Sequence, residues 1–147
     1  MIDNKDEKIL DELKKNARKT TKGIASIVKI PRVTVHDRIQ KMINKGIIKS
    51  FSVIPDYQKI GFPTKVFIFI SFGSDKKISQ RELAKRIAKL NGIYEVHIVS
   101  GEYDLLIKVR GTSLEEIGKL VVDNIRELDG VDKTLTCACF DTIKEEV

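Results

Sequence analysis

The chain has 147 residues, of which 33% are charged and 41% are hydrophobic, and its formal net charge is +6. This length suggests one or two small domains in a water-soluble protein. The longest strongly apolar run, Val66 to Ile70, is far shorter than the roughly 20 residues of a membrane helix. The first residues lack the basic start and apolar core of a secretory signal, so we expect a cytoplasmic protein.

The positive charge is concentrated in the first part of the chain. Residues 1–60 contain 14 Lys/Arg and 7 Asp/Glu, whereas residues 61–147 contain 13 and 14. Within residues 13–50, Asp37 is the only acid among eleven basic residues. A small segment with such a charge density attracts polyanions, and the pattern favours a nucleic-acid partner over a basic surface that only faces solvent.

The apolar period predicts three short helices in this basic segment. They span about residues 4–17, residues 20–30 and residues 31–45. Pro31 suits a first helical turn, because its missing N–H is not needed there. The third helix has an inward stripe at Val35, Ile39, Met42 and Ile43, and residues 47–53 predict a short extended wing. We therefore predict a winged helix-turn-helix over residues 1–54.

The third helix of such a unit presents its outer side to the DNA major groove, where Arg and small polar side chains contact base edges. Basic residues at the helix ends and in the wing neutralise phosphates. The predicted DNA-binding residues are Arg32, Thr34, His36, Arg38, Lys41, Lys45 and Lys49. Other roles remain open: Thr34 and His36 as plain surface residues, and Arg38 as an ion-pair partner of Asp37 or of an acid in the first helix.

A second pattern begins after residues 55–64, which contain two prolines and a glycine and are predicted to be a hinge. Residues 65–147 predict an α+β domain with the strand and helix order βαββαβ, which is the ferredoxin-like plan. Its predicted strands are 65–72, 93–99, 104–109 and 131–140, and its predicted helices are 79–90 and 113–128. The open face of this sheet is apolar, so we expect a second subunit to cover it.

We find no motif of an enzyme. The chain has no phosphate-binding glycine loop and no nucleophile elbow, and its two histidines, His36 and His97, fall in different domains. Cys137 and Cys139 are spaced as two reduced thiols on one strand face and have no further ligand nearby for a metal. We predict neither catalysis nor a cofactor nor a metal.

Several short motifs follow one another in a definite order along the chain. In the first domain their residues are Ile2, Asp3, Asp6, Ile9, Leu10, Ala17, Arg18, Val35, Arg38, Ile39, Met42, Lys45, Gly46, Ile47 and Ile48. In the second they are Gly101, Glu102, Tyr103, Asp104, Leu128, Gly130, Val131, Thr134 and Thr136. In this order and spacing the motifs resemble the Lrp/AsnC family of feast/famine transcription regulators. The chain departs from the family pattern at Gly23, Lys29, Pro31 and Arg32.

The resemblance implies a sequence-specific transcription regulator that dimerises through the sheets of its second domain and assembles further, often into an octamer of four dimers that wraps DNA. It also implies an amino-acid effector bound near Gly101, Glu102, Tyr103, Asp104, Thr134 and Thr136. Two alternatives stay open. One is an architectural protein that compacts DNA with little sequence preference, and the other is a siroheme-type decarboxylase, since some proteins that resemble this family have that activity.

Overall fold

The structure is a computed structural model that describes residues 2–73 and 77–145. The chain separates into two compact units, Met1–Ile54 and Pro55–Val147. The first unit contains the helices α1 (Asn4–Lys15), α2 (Thr21–Val28) and α3 (Arg32–Asn44). The second contains, in chain order, β1 (Thr64–Phe72), α4 (Gln80–Ile87), β2 (Ile93–Ile98), β3 (Leu105–Gly111), α5 (Leu114–Leu120), a π-helical turn (Val121–Ile125) and β4 (Val131–Ala138).

The helices of the first unit begin where side-chain caps satisfy their free amide groups. The Asp3 carboxylate accepts from the amides of Lys5 and Asp6, and the Asp6 side chain bonds back to the amide of Asp3. Thr20 caps α2 by accepting from the amide of Gly23. The helix α1 ends two residues before its predicted end near Ala17, because Asn16 adopts an extended backbone and follows Lys15 as the C-cap.

One apolar core holds the three helices together. It consists of Ile9, Leu13, Ile24, Val35, Ile39, Met42 and Ile48. Ile43, which the sequence pattern placed in the inward stripe, is 36% exposed and lies at the edge of this core. Residues 47–54 contain no strand, so the predicted extended wing is an irregular segment without β pairing in this chain.

The second unit is a four-stranded antiparallel sheet with the strand order β2-β3-β1-β4. The central strands β1 and β3 pair in register from Thr64 opposite Gly111 to Ile70 opposite Leu105. This order and the alternation of strands and helices confirm the predicted ferredoxin-like fold. Its core lies between one face of the sheet and the helices, and it includes Ile68, Leu83, Ile107 and Ile117.

The second helical segment of this unit differs from the sequence prediction of one α-helix up to Leu128. The α-helix ends at Leu120, and an i→i+5 hydrogen bond from the Arg126 amide to the Val121 carbonyl closes a π-helical turn. Leu114, predicted on the apolar side, is 54% exposed. It is the first residue of the helix, so it lies beyond the edge of the covered face.

Among the described residues of the second unit, no helix packs on the other face of the sheet. It carries, from β1 and β3, the side chains of Lys65, Phe67, Phe69, Leu106, Lys108 and Arg110, which alternate with the core residues. Within the described ranges, no helix is long and apolar enough to cross a membrane.

Candidate functional site

The turn between α2 and α3 is tight and sets the direction of α3. Lys29 ends α2 with a left-handed backbone (φ 57°), a conformation that glycine or asparagine adopts more readily. Pro31 is the N-cap, so α3 begins at Arg32, one residue later than predicted. The buried side chains of Val35, Ile39 and Met42 then fix α3 against the core, so its opposite side faces solvent.

The side of α3 opposite the buried stripe consists of Val33, His36, Asp37 and Gln40. All four are exposed, and Val33 is 70% exposed although it is apolar. The sequence prediction included only His36 of this set. The helical period counted from the buried positions identifies the other three, whereas a search for basic and small polar residues misses them.

Arg38 is held by acids of α1, which is one of the alternatives that the sequence left open. Its Nη1 atom lies 2.7 Å from a carboxylate oxygen of Asp3 and 2.7 Å from one of Asp6. The amide of Asp6 and the Arg38 guanidinium hold the pKa of Asp3 below its usual range. Thr34, which is half-buried, lies with Arg38 and Lys45 around a cleft of about 360 Å³ next to these acids.

The remaining predicted DNA-binding residues are exposed. Arg32, at the start of α3, donates from Nε to the Thr21 hydroxyl over 3.2 Å, which ties the first turn of α3 to α2. Lys41, Lys45 and Lys49 follow along one flank and past the end of the helix, and none of the three forms an ion pair with another described residue. The unit therefore presents an exposed helix side with exposed positive charges beside it.

The predicted effector region lies at the turn between β2 and β3. Gly101 has a φ of +126°, which suits glycine. Asp104 is tied to the neighbouring strand, because its amide donates to the Ile70 carbonyl and its Oδ2 accepts from the Phe72 amide over 2.7 Å. Glu102 is exposed.

The other predicted effector residues flank the same end of β1. On β1, Ile70 pairs with Leu105 of β3 on one side and with Thr134 of β4 on the other. Thr134 and the Asp104 turn therefore lie on opposite sides of β1, two strand spacings or about 10 Å apart. The Thr134 hydroxyl accepts from Arg126 Nε over 2.9 Å. Tyr103 packs instead on Phe69, on the face without helices, and Thr136 is exposed on β4.

A group of three cations lies at the other end of β1 and was not predicted. We call Lys65, Lys108 and Arg110 the basic cluster; their side chains are only 8%, 12% and 9% exposed. Glu145, near the end of the chain, contacts all three. The sequence does show Lys108 and Arg110 at alternate positions of one strand, which places them on the same face of the sheet. Their proximity to Lys65 depends on the strand register, which the sequence does not show.

The remaining candidate groups have ordinary surroundings. His97 Nε2 lies 3.1 Å from a carboxylate oxygen of Glu95, and His97 and Lys108 together lower the pKa of that carboxyl group. Cys137 and Cys139 are free thiols. Among the described residues, no group of three or more His, Cys, Asp or Glu side chains is arranged to hold a metal ion.

Comparisons with known proteins agree with this geometry. Residues 2–49 match a family model described as a winged helix-turn-helix DNA-binding domain, and residues 65–147 match the Lrp/AsnC ligand binding domain. A helix-turn-helix transcriptional regulator of Pyrococcus abyssi is 45% identical over 147 residues, which are 100% of this chain and 98% of the relative.

Solved structures share the fold along the whole chain. Escherichia coli AsnC has a TM-score of 0.89 at 25% identity, with 100% of this chain and 97% of that chain covered. A transcriptional regulator of Neisseria meningitidis in complex with L-Met has a TM-score of 0.93 at 20% identity, with 99% and 94% covered. The two matched domains and the full-length relative establish that this chain belongs to the Lrp/AsnC family of helix-turn-helix transcriptional regulators.

Proposed function

We propose that this regulator recognises specific DNA sequences through the exposed side of α3. The observation that carries the proposal is that buried Val35, Ile39 and Met42 fix the helix while its other side stays open. In this arrangement Arg32 and His36 lie where a recognition helix contacts base edges. The exposed apolar side chain of Val33 could pack against the methyl group of a thymine.

Lys41, Lys45 and Lys49 would contact phosphates and set the register of the helix on DNA. Thr34 lines the cleft and would contact the DNA backbone or the edge of a base. Arg38 has a different role in this proposal: its two carboxylate partners, Asp3 and Asp6, neutralise it, so it orients α3 against α1 rather than contacting DNA.

The test compares alanine variants on a selected operator and on scrambled DNA at two salt concentrations. Arg32→Ala should cost about 1–3 kcal/mol on the operator and relax the preference at one or two base pairs. Lys45→Ala and Lys49→Ala should weaken both DNAs equally and lower the salt slope by about one unit. Lys119→Ala, which removes the same charge from α5, is the matched control.

Equal losses on operator and scrambled DNA for Arg32→Ala, Thr34→Ala and His36→Ala together would contradict base reading by α3. That result would favour the architectural alternative, in which binding depends on backbone charge and specific-to-nonspecific ratios are small. The decarboxylase alternative has no supporting observation among the described residues, and the Pyrococcus abyssi and Neisseria meningitidis proteins are both named as transcriptional regulators.

We infer that the protein is a homodimer that uses the helix-free face of the sheet. Phe67, Phe69, Leu106 and Leu135 place apolar side chains on this face, and a second copy would remove them from water. An octamer of four such dimers is the higher assembly that we propose. Light scattering of the full chain at micromolar concentration should show at least a dimer, and a folded monomer there would contradict the proposal.

We also infer an amino-acid effector at the Asp104 turn. The second domain matches a family of ligand-binding domains, and the Neisseria meningitidis neighbour was solved with L-Met. The Asp104 carboxylate supplies a negative charge for an ammonium group, although one of its oxygens already accepts from the Phe72 amide. Each common amino acid should be tested for a rise in thermal midpoint, because a ligand that binds the folded state stabilises it. No change with any amino acid would favour a purely structural turn.

The proposed regulator works in the cytoplasm, where it has access to DNA, and it is not an enzyme. It needs no cofactor in this proposal. Purified protein should bind the selected operator without any added metal or cofactor, as measured by a titration in the presence of a chelator.

A further inference from the structure

The basic cluster is an arrangement that needs a negative partner. Lys65 and Arg110 lie directly opposite each other on β1 and β3, and Lys108 is on the same face two residues before Arg110. Like charges directly opposite each other destabilise an antiparallel pair. The cost is larger here because all three side chains are largely buried, and burial also holds the pKa of Lys65 below its usual value.

Two carboxylates compensate part of this charge. Glu95 Oε1 lies 3.1 Å from Lys108 Nζ, and the remaining compensation comes from Glu145. Glu145 Oε2 lies 3.5 Å from Arg110 Nη2 and 3.6 Å from Lys65 Nζ, while its other oxygen contacts Lys108. Thr142, in the same C-terminal segment, accepts from Lys65. Without Glu145 the cluster would keep three positive charges against the single charge of Glu95.

The guanidinium of Arg110 is also incompletely satisfied. The Arg110 Nε atom is buried and has no hydrogen-bond partner among the residues that the structure describes. The guanidinium lies over the Tyr57 ring, with its Cζ atom 3.7 Å from the ring centre. A buried donor without a partner costs free energy comparable to a lost hydrogen bond. A guanidinium presents two parallel donors to an oxyanion, and Glu145 contacts it only through Nη2, at the long distance of 3.5 Å.

We propose that the basic cluster is a binding site for a soluble oxyanion, a phosphate or a carboxylate group, and that Glu145 fills this site until such an anion displaces it. A dianion matches the two net charges that remain with Glu95 once Glu145 has left. The site is distinct from the Asp104 turn, because Lys65 and Phe72 are separated by seven residues of β1, about 23 Å. Its excess of cations disfavours the ammonium group of an amino acid, so the site goes beyond the effector proposed above.

The experiment titrates the full chain with inorganic phosphate and, separately, with succinate, at constant ionic strength maintained with chloride. Binding is followed by the NMR resonance of the Arg110 Nε–H group, which reports on this site and not on the basic residues of α3. Glu145→Gln removes the competing carboxylate. If Glu145 occupies the site about four-fifths of the time, only about one-fifth of the wild-type molecules are free to bind an anion. The Glu145→Gln variant should then bind with an apparent Kd about fivefold lower than that of the wild type.

Two further variants identify the site. Adding Lys108→Gln to Glu145→Gln should abolish the saturable shift of the Arg110 resonance. Lys119→Gln, which removes an exposed lysine that pairs with Glu115 on α5, should behave as the wild type does. The difference between phosphate and succinate then shows which oxyanion the site prefers.

The proposal is overturned if neither anion moves the Arg110 resonance in Glu145→Gln, or if wild type and Glu145→Gln bind with the same affinity. Persistence of the full response after Lys108→Gln would also overturn it. Should the double variant fail to fold, the comparison of wild type with Glu145→Gln still decides the question, because it leaves all three cations in place.

Discussion

The two faces of the sheet carry side chains from the same strands but differ in what covers them. On the covered face, Ile68, Ile70 and Ile107 are fully buried by the helices of the same chain. On the other face, aromatic and aliphatic side chains lie in the middle, and the basic cluster lies at one end. The covered face is therefore buried within one chain, whereas the open face is the one on which we have proposed a second subunit and an anion.

The largest expected effect comes from the covered face. Ile68→Ala should lower the free energy of unfolding by about 2–5 kcal/mol, because it leaves a cavity in a fully packed core. Phe67→Ala, on the opposite face one residue before, is the matched comparison. Urea unfolding at a concentration where both variants have the same oligomeric state should show a clearly smaller loss for Phe67→Ala. Equal losses would mean that the two faces are equally important within one protomer.

The next effect concerns assembly. Phe69→Asp places a charge in the apolar part of the open face, where Phe69 packs beside Tyr103. If this face forms the dimer, the variant should raise the dimer dissociation constant at least about 30-fold, which corresponds to about 2 kcal/mol. Sedimentation velocity measures the change, and Leu114→Asp, at an exposed position on α5, is the control. An unchanged dimer would place the contact on another surface.

A smaller effect is expected at the Asp104 end of the sheet. Asp104→Ala removes a charged acceptor of the Phe72 amide and should lower the free energy of unfolding by about 1.5 kcal/mol, the low end for a hydrogen bond to a charged group, because Asp104 is only half-buried. Glu102→Ala, at the exposed neighbour in the turn, should change stability by less than about 0.5 kcal/mol. Thermal or urea unfolding without added amino acids measures both. If Asp104→Ala is neutral, its carboxylate is held for a ligand rather than for the fold.

The smallest effect is a pH dependence at the basic cluster. Burial lowers the pKa of Lys65 in the folded state, so between that pKa and about 10.5 the unfolded chain binds more protons. Stability attributable to Lys65 should therefore rise with pH in this alkaline window. The difference in unfolding free energy between wild type and Lys65→Met, measured from pH 8 to 10.5, isolates this residue from Lys108, Arg110, Cys139, Glu95 and Glu145. A difference that falls with pH would contradict the depressed pKa.

Much of the fold was predictable because it depends on local patterns. Thr20 and Ser79 are residue types that favour N-cap positions, and each accepts from the amide three residues later. Ser79 with Glu82, and Ser113 with Glu116, also have the Ser-x-x-Glu spacing of a capping box. Both serines cap their helices, but the Glu82 side chain accepts from Arg86, and the Glu116 side chain accepts from Thr112, one residue before the cap. Which neighbouring amide a side chain bonds depends on the local backbone conformation, and the spacing in the sequence does not specify that conformation.

The candidate DNA-binding site was predictable as a helix and only partly as a set of side chains. Residue type correctly indicated that α3 is basic on its outer flank, and Arg32, Lys41, Lys45 and Lys49 are exposed. The ion pair that holds Arg38 joins residues more than thirty positions apart in sequence. Such a pairing depends on how α1 packs against α3, and no local pattern separated Asp37 from the acids of α1 as its partner.

Local periodicity and composition were thus sufficient for the helix-turn-helix, the ferredoxin-like strand order and the concentration of basic residues near the N-terminus. Alternation along β1 and β3 also showed that both sheet faces carry apolar side chains. It did not show that Lys65 lies opposite Arg110 or that Glu145 returns to contact both. Those contacts follow from strand register and chain reversal, which arise when the whole sheet assembles and brings together residues that are 45 and 35 positions apart in sequence.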